Sequence, residues 1–362
     1  MRKTISELAV FLRNLLPPEI TGTYAVDPMF AGIAGEAEIR EGVLAFREFL
    51  HKTYNRLIDG GGEYDTSAKI KHEHSDSVNI ARYYPFVNYI KIILTNIGYN
   101  GALNENKNAI ILDGAQSLTS IKPLSNIKIP VPNKIKCLRF LTGCGLHIGG
   151  ADLNAPPDGK KNNLFPSGPL IFSYPENSAM LIGLTVMARS QIKFNPRGSK
   201  DILLRCDYRA LANKKAGEAD ACAVLGDLVN PLPAAVKEFL LELHSGYVDG
   251  GHKCEISIMA LYYRFIYYIG SRELWRINVS LNNGFNFSIK ATDTDKYAET
   301  VEKFPDWLKE KIAMGYGCGK KRGVTASCDG GCRGYRIPLD GPDAGVCKII
   351  RAWIGAETRV AG

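Results

Sequence analysis

With 362 residues, 45% of them hydrophobic and 23% charged, the chain is long enough for two or three domains with full-sized cores and too apolar to be disordered. No apolar run approaches the roughly 20 residues that span a bilayer, so no membrane span is expected. The net charge of +8 favours polyanions, but lysines and arginines are spread along the chain without the clustered tract that marks a nucleic-acid-binding protein by charge alone.

In chain order, the first element is a helix. Thr4 and Glu7 have the spacing of a capping box, and Ile5, Leu8, Leu12, Leu15 and Leu16 share one helical face before Pro17-Pro18. Arg2 and Lys3 ahead of apolar residues resemble the start of a signal peptide. Glu7 and Arg13 interrupt that stretch and no small-residue cleavage site follows, so a cytosolic protein is expected. Residues 36–58 repeat apolar positions at helical spacing and stop at Asp59-Gly60-Gly61-Gly62. His72-Glu73-His74 is the one histidine cluster. Extended, it would turn both rings to one face as two metal ligands do, but no third ligand accompanies it, and a polar surface segment is the reading preferred.

Residues 85–97 predict a second helix, with Pro85 in its first turn and Gly98 as its C-cap, then a strand over 109–113. A third helix is expected over 133–144. Leu94-Thr95-x-x-Gly98 reappears as Leu141-Thr142-x-x-Gly145, a hint of a duplicated helix–strand unit that is short enough to arise by chance. Polar and proline-bearing loops are expected over 115–133 and 150–169. After them come a strand at PLIFSY, a mostly buried helix at ENSAMLIGLTVMARSQ, a strand at DILLRCDY (201–208), and a helix opening at Pro233 with His244 on its surface.

The last third has the clearest alternation. Three strands are expected, over 261–268, 273–281 and 285–291, with turns at Gly270-Ser271 and Asn282-Asn283-Gly284. Trp275, Ile277, Val279 and Leu281 share one face with Phe285, Phe287 and Ile289. Arg276, Asn278, Ser280, Asn286, Ser288 and Lys290 take the other, giving a meander with one packed and one wet face. Two short helices, 295–303 and 306–313, follow. The fold class is therefore α+β, divided as a mainly helical part over 1–130, an α+β part over 131–225 and a meander over 226–362 with a cysteine-rich extension over 315–347.

Nine cysteines argue against a secreted disulfide framework. Cys137, Cys144, Cys206, Cys222 and Cys254 stand mostly in apolar patterns and read as small buried hydrophobes. The other four, Cys318, Cys328, Cys332 and Cys347, could supply the four thiolates of a tetrahedral zinc site, with Gly317, Gly319, Gly330 and Gly331 letting backbone fold around sulfur. Four protein ligands would make that zinc structural, in a segment with few large apolar residues of its own. No Cys-x2-Cys pair is present, and free thiols in a glycine-rich loop remain the alternative. A phosphate-binding loop fails at this place, because Met314 stands where the first glycine is required and Lys321 where Ser or Thr is required.

On the wet face of the meander, Tyr262, Arg264 and Tyr268 fall beside Arg276 and Lys290. Aromatics interleaved with basic residues can stack bases and hold phosphates, or line a small-molecule pocket; helices laid over the face would be the purely structural alternative. No nucleophile-elbow, zinc-protease or dinucleotide fingerprint occurs.

Gly317-Cys318-Gly319-Lys320, Cys328-x3-Cys332 and Gly334-Tyr335-Arg336 resemble the ending of a family of uncharacterised proteins common in anaerobic Gram-positive bacteria. Residues 175–188 and 203–211 resemble segments of the same family. In that family a further cysteine follows the Gly-Tyr-Arg stretch, and Val346-Cys347-Lys348 fills its place here amid sequence that departs from the pattern. The resemblance implies no activity and transfers no functional residue. The leading expectation is a cytosolic binding or regulatory protein with a structural zinc and a small-molecule or protein ligand in a cleft between α+β units. An enzyme of unknown class and a nucleic-acid-binding protein using the basic aromatic face are the alternatives.

Overall fold

Ala179–Phe194 carries apolar side chains on every side, and such a helix must be surrounded by others to hide them. The computed structural model, which describes residues 3–20, 24–64, 83–119, 121, 129–153, 168–194, 201–212, 221–259, 261–291, 294–313, 334–339, 341 and 343–361, places it at the centre of the first of two units. That unit comprises Met1–Ala219 with Met259–Leu261; the second comprises Asp220–Ile258 with Tyr262–Gly362. The three-part division expected from sequence differs, because the boundary near residue 130 falls inside the first unit.

The N-terminal unit contains helices α1 (Ile5–Asn14), α2 (Glu36–Asp59), α3 (Pro85–Asn100), α4 (Val131–Thr142) and α5 (Ala179–Phe194). Both α2 and α3 pack on α5, and α1 packs on α2. The first helix starts as its capping box dictates: Glu7 N–H donates to Thr4 Oγ1 at 3.1 Å and Thr4 N–H to Glu7 Oε2 at 2.8 Å. Glycine decides how closely the central helices approach. A Cβ on Gly183 would stand 2.0 Å from the Gly42 carbonyl oxygen, and one on Gly42 would stand 2.8 Å from Gly183 N. Gly98 serves the same purpose against α5, where a Cβ would meet Leu184 O at 2.5 Å. It is therefore not the expected cap: α3 continues to Asn100 and Gly101 ends it. The repeated letters at Leu94–Gly98 and Leu141–Gly145 take different conformations, since Gly145 lies beyond α4 at φ +97°.

Strands β1 (Ala102–Leu103), β2 (Ile110–Leu112), β3 (His147–Gly149) and β4 (Leu170–Ser173) form an antiparallel sheet in the order β1-β2-β4-β3. Residues 201–208 were expected to be a strand and are not. They form consecutive turns, almost wholly buried, with Cys206 at φ +48°. Side chains supply the partners a sheet would have given. Gln191 Oε1 accepts the N–H groups of Ile202 (2.9 Å) and Leu203 (3.2 Å), Asp201 Oδ1 accepts that of Leu204 (3.1 Å), and the Tyr54 hydroxyl donates to Leu204 O. Lys91 Nζ lies 3.3 Å from Asp201 Oδ1, both side chains closed to water.

The C-terminal unit contains helices α6 (Ala221–Leu228), α7 (Ala234–Asp249), α8 (Asp306–Ala313) and α9 (Ala344–Ala361), and strands β5 (Lys253–Met259, all but its last residue in this unit), β6 (Tyr262–Ile269), β7 (Arg272–Ser280), β8 (Gly284–Ile289) and β9 (Tyr335–Pro338). The expected three-stranded meander is the middle of a five-stranded sheet in sequential order, β5 and β9 having been missed. Its apolar face is as expected: Phe265, Tyr267, Trp275, Ile277, Phe287 and Ile289 are buried. Trp275 stacks on Tyr267, and Tyr247 of α7 meets Trp275 edge-on at 5.3 Å. His244, expected on a surface, is buried against this face with Nδ1 2.8 Å from the Tyr267 hydroxyl. At the other end, Glu357 of α9 is fully buried, paired with Arg272 at 3.4 Å and hydrogen-bonded by the Tyr297 hydroxyl.

Candidate functional site

Strand register determines what stands together on the opposite face of this sheet. Side chains alternate along each strand, so residues directly opposite one another across neighbouring strands share a face. Ile266 pairs with Arg276, Arg276 with Ser288, and Ser288 with Arg336, forming one row across four strands. The next row is Arg264, Asn278, Asn286 and Pro338; beyond it Tyr262 lies opposite Ser280. After a bulge at Tyr267/Tyr268, Tyr268 stands opposite Glu273. The sequence-predicted residues Tyr262, Arg264, Tyr268 and Arg276 are thus brought to one face, and Lys290 joins them through its ion pair with Glu273 at 2.8 Å.

The centre of the face is polar and enclosed. Ser288 and Asn286 are buried, and Asn278 Nδ2 donates to Asn286 Oδ1 (3.0 Å) and Ser288 Oγ (3.1 Å). Around this amide–hydroxyl patch stand the guanidinium groups of Arg264, Arg276 and Arg336. Burial, and repulsion from Arg264 and Arg336, pull Arg276 below its ordinary range, while Glu273 opposes them. Arg276 Nε lies 2.9 Å from Glu273 Oε1. The tyrosine rings at the margins are engaged by cations: Arg264 sits 4.1 Å over Tyr262, and Lys253 5.6 Å over Tyr268. The Tyr268 hydroxyl donates to Glu255 Oε2 at 3.0 Å, and burial together with that carboxylate pushes its pKa up to about 12. Glu255 and Glu273 are the carboxylates on this face among the described residues the register and contacts place there; the basic groups outnumber them.

Arg336, Asn278, Asn286, Ser288 and Glu273 complete the site. The sequence reading placed the Asn and Ser residues on this face but gave them no role. Arg336 was missed as a site residue because its strand is four residues long and joins the sheet far along the chain, although the alternation Tyr335-Arg336-Ile337, in–out–in, was visible.

The cysteines divide. Cys137, Cys144 and Cys206 are buried as expected, whereas Cys222 is exposed and Cys254 half-buried. Cys347 lies in the first turn of α9, where Asp343 Oδ1 accepts the Val346 N–H at 2.8 Å, and burial raises its thiol above the ordinary value. Cys318, Cys328 and Cys332, like His72 and His74, lie outside the described residues. Among the described residues no group of three or more His, Cys, Asp or Glu side chains is placed to hold a metal, and no helix is long and apolar enough to cross a membrane. Comparison of the chain with protein-family models, curated proteins and solved structures finds no match.

Proposed function

We propose that this chain is a cytosolic binding protein whose C-terminal unit holds a phosphate-bearing ligand on the polar face of its five-stranded sheet. One observation carries the reading: Arg264, Arg276 and Arg336 converge around Asn278 and the buried Asn286 and Ser288 to which it is hydrogen-bonded. Like charges gathered at a half-buried place repel one another, and an anion between them turns that repulsion into attraction. Arginine suits the task because its planar fork gives two parallel hydrogen bonds to a phosphate. With the tyrosine faces already engaged by cations, the phosphates of the ligand, more than its bases, would supply the recognition. The structural zinc expected at Cys318, Cys328, Cys332 and Cys347 belongs to the same proposal. Arg336 lies between Cys332 and Cys347 in sequence, so a metal bound there would fix the strand that bears it.

The test is fluorescence anisotropy of a labelled single-stranded oligothymidine, with inorganic polyphosphate as competitor, over a range of salt. Binding should fall steeply with salt, polyphosphate should compete, and each Arg→Ala substitution at 264, 276 or 336 should lower the logarithmic salt slope by about one. Binding that is absent, or that the Arg264→Ala/Arg276→Ala pair leaves unchanged, refutes the reading. Zinc is tested by metal analysis of the reduced protein; a stoichiometry near zero rejects it.

A further inference from the structure

The N-terminal unit has a cleft of about 660 Å³, within the range of roughly 300–1,000 Å³ that small ligands occupy. Its walls come from the end of α2 and from the turn that follows α4. Lys52, Arg56 and Asp59 project from the last turns of α2, three or four residues apart and so on neighbouring positions of one face. Glu63 comes from the short turn after Gly60, and Glu176 from the loop after β4. Gly143 and Gly145 form the facing wall.

Two features indicate that the opening is built. Arg56 donates to the Gly143 carbonyl at 3.2 Å and lies 5.8 Å over the Phe140 ring, and a Cβ on Gly143 would stand 2.3 Å from its guanidinium carbon. Glycine at 143 is what lets Arg56 take this seat. Gly145, at φ +97°, is a place where a side chain would be strained and would press on the Tyr174 ring at 3.1 Å. Lys52 is already spoken for: its ammonium is bound by both oxygens of Glu176, whose carboxyl is lowered first by Lys52 and then by the Tyr174 hydroxyl. That leaves Arg56 against Asp59 and Glu63 as the charged groups a ligand would meet, with the Tyr64 hydroxyl beside both Arg56 and Glu63, at a place bordered by two helix C-termini whose carbonyls favour positive charge.

A ligand of a single sign would meet repulsion on one wall. We propose that this cleft binds a small zwitterion, a free amino acid or a short peptide with both ends unblocked, its carboxylate on Arg56 and its ammonium between Asp59 and Glu63. The site lies wholly in the N-terminal unit and is independent of the sheet-face reading. Arg56 offers five donors in a rigid fork, of which the Gly143 bond uses a fraction. The ammonium end is recognised by charge and by the carbonyl ends of the helices, so blocking either end of the ligand removes one half of the recognition.

Isothermal titration of the full chain with the dipeptide Ala-Ala, its N-acetyl form and its C-terminal amide tests this. Ala-Ala should bind saturably in the millimolar range or tighter, and each blocked form should bind at least about tenfold more weakly. The Asp59→Asn/Glu63→Gln variant, changed only at exposed positions, should keep its circular dichroism spectrum and lose the discrimination against the N-acetyl form. Arg56→Gln should lose discrimination against the amide. Absence of a saturable signal with Ala-Ala, equal binding of the blocked forms, or discrimination that survives in the acidic-pair variant would each overturn the proposal.

Discussion

Replacing Lys91 by methionine takes the cation from an ion pair that the N-terminal unit keeps out of water. Lys91 Nζ and Asp201 Oδ1 are 3.3 Å apart, with side chains 2% and 0% exposed. At that distance and an effective dielectric constant of about 20, the attraction is about 5 kcal/mol. It offsets the desolvation of both charges, so the intact pair adds little net stability, while removing one partner from such a pair costs roughly 3–5 kcal/mol. In Lys91→Met the Asp201 carboxylate would keep the Leu204 N–H on Oδ1, while its Oδ2 has no hydrogen-bond partner among the described residues. The expected loss is therefore about 3–5 kcal/mol. The double variant Lys91→Met/Asp201→Asn, which removes both charges and keeps a hydrogen-bond acceptor for Leu204, should recover at least half of it. Urea unfolding followed by far-UV circular dichroism reads the helices of both units, and the part of the transition that tryptophan fluorescence does not share belongs to this one. The tryptophans, Trp275, Trp307 and Trp353, all belong to the C-terminal unit and give a separate fluorescence signal. The midpoint of that component should fall with its slope unchanged, while the fluorescence transition stays where it is. A loss below about 1 kcal/mol in Lys91→Met, or a double variant as unstable as the two singles summed, would show that the pair is not the buried charge couple described here.

Gly183→Ala should destabilise by about 1–3 kcal/mol, because overpacking against Gly42 exceeds the helix-propensity gain of about 1 kcal/mol. Gly226→Ala, in open space on α6, should stabilise slightly; thermal unfolding of both variants compares them. With iodoacetamide at pH 8, the exposed Cys222 should be modified before the buried cysteines of the described residues. Cys137, Cys144 and Cys206 should stay protected until unfolding, burial having pushed Cys144 up to about 11 and the other two higher; peptide mapping that finds Cys206 modified as fast as Cys222 contradicts the buried turns. Glu38 is held below its ordinary 4.5, first by Lys107 (Nζ to both carboxylate oxygens, 2.8 Å) and then by the Gly35 N–H. A lowered folded-state pKa gives stability that is present above the ordinary value and lost as pH falls through the lowered one. In Lys107→Met the Glu38 midpoint, followed by NMR, should move up toward 4.5, and an unmoved midpoint rejects the pair as its cause.

What could be read in advance follows from how local the signal is. The capping box of α1, the long amphipathic α2 and the alternation in β6 to β8 are short-range patterns, and each appears where expected. Residues 201–208 have a strand's composition but not its partners. Gln191 and Asp201 provide backbone hydrogen bonds there, and no local rule says that a glutamine on a neighbouring helix will reach them. Gly98 was assigned by its place near a helix end, whereas the close approach of α5, far along the chain, is what demands it. Arg264 and Arg276 could be put on one face by counting in twos. Arg336 required knowing that a four-residue strand returns to the sheet beside β8.

The glycine-mediated seat of α2 on α5 has a consequence for the chain as it is being made. The partner that covers α2 is not complete until Phe194 has been synthesised, long after Asp59. At roughly 5–20 residues per second, that amphipathic helix waits about 7–27 s with the part of its core face that α5 covers still open. The C-terminal sheet has no such delay over β5 to β8, since each strand pairs with the one just made. The nascent N-terminal half is therefore the part that needs shelter by a ribosome-bound chaperone. A chain released before residue 179 would have α1 packed on α2 but would leave Gly42 and Phe46, which α5 covers, without that partner.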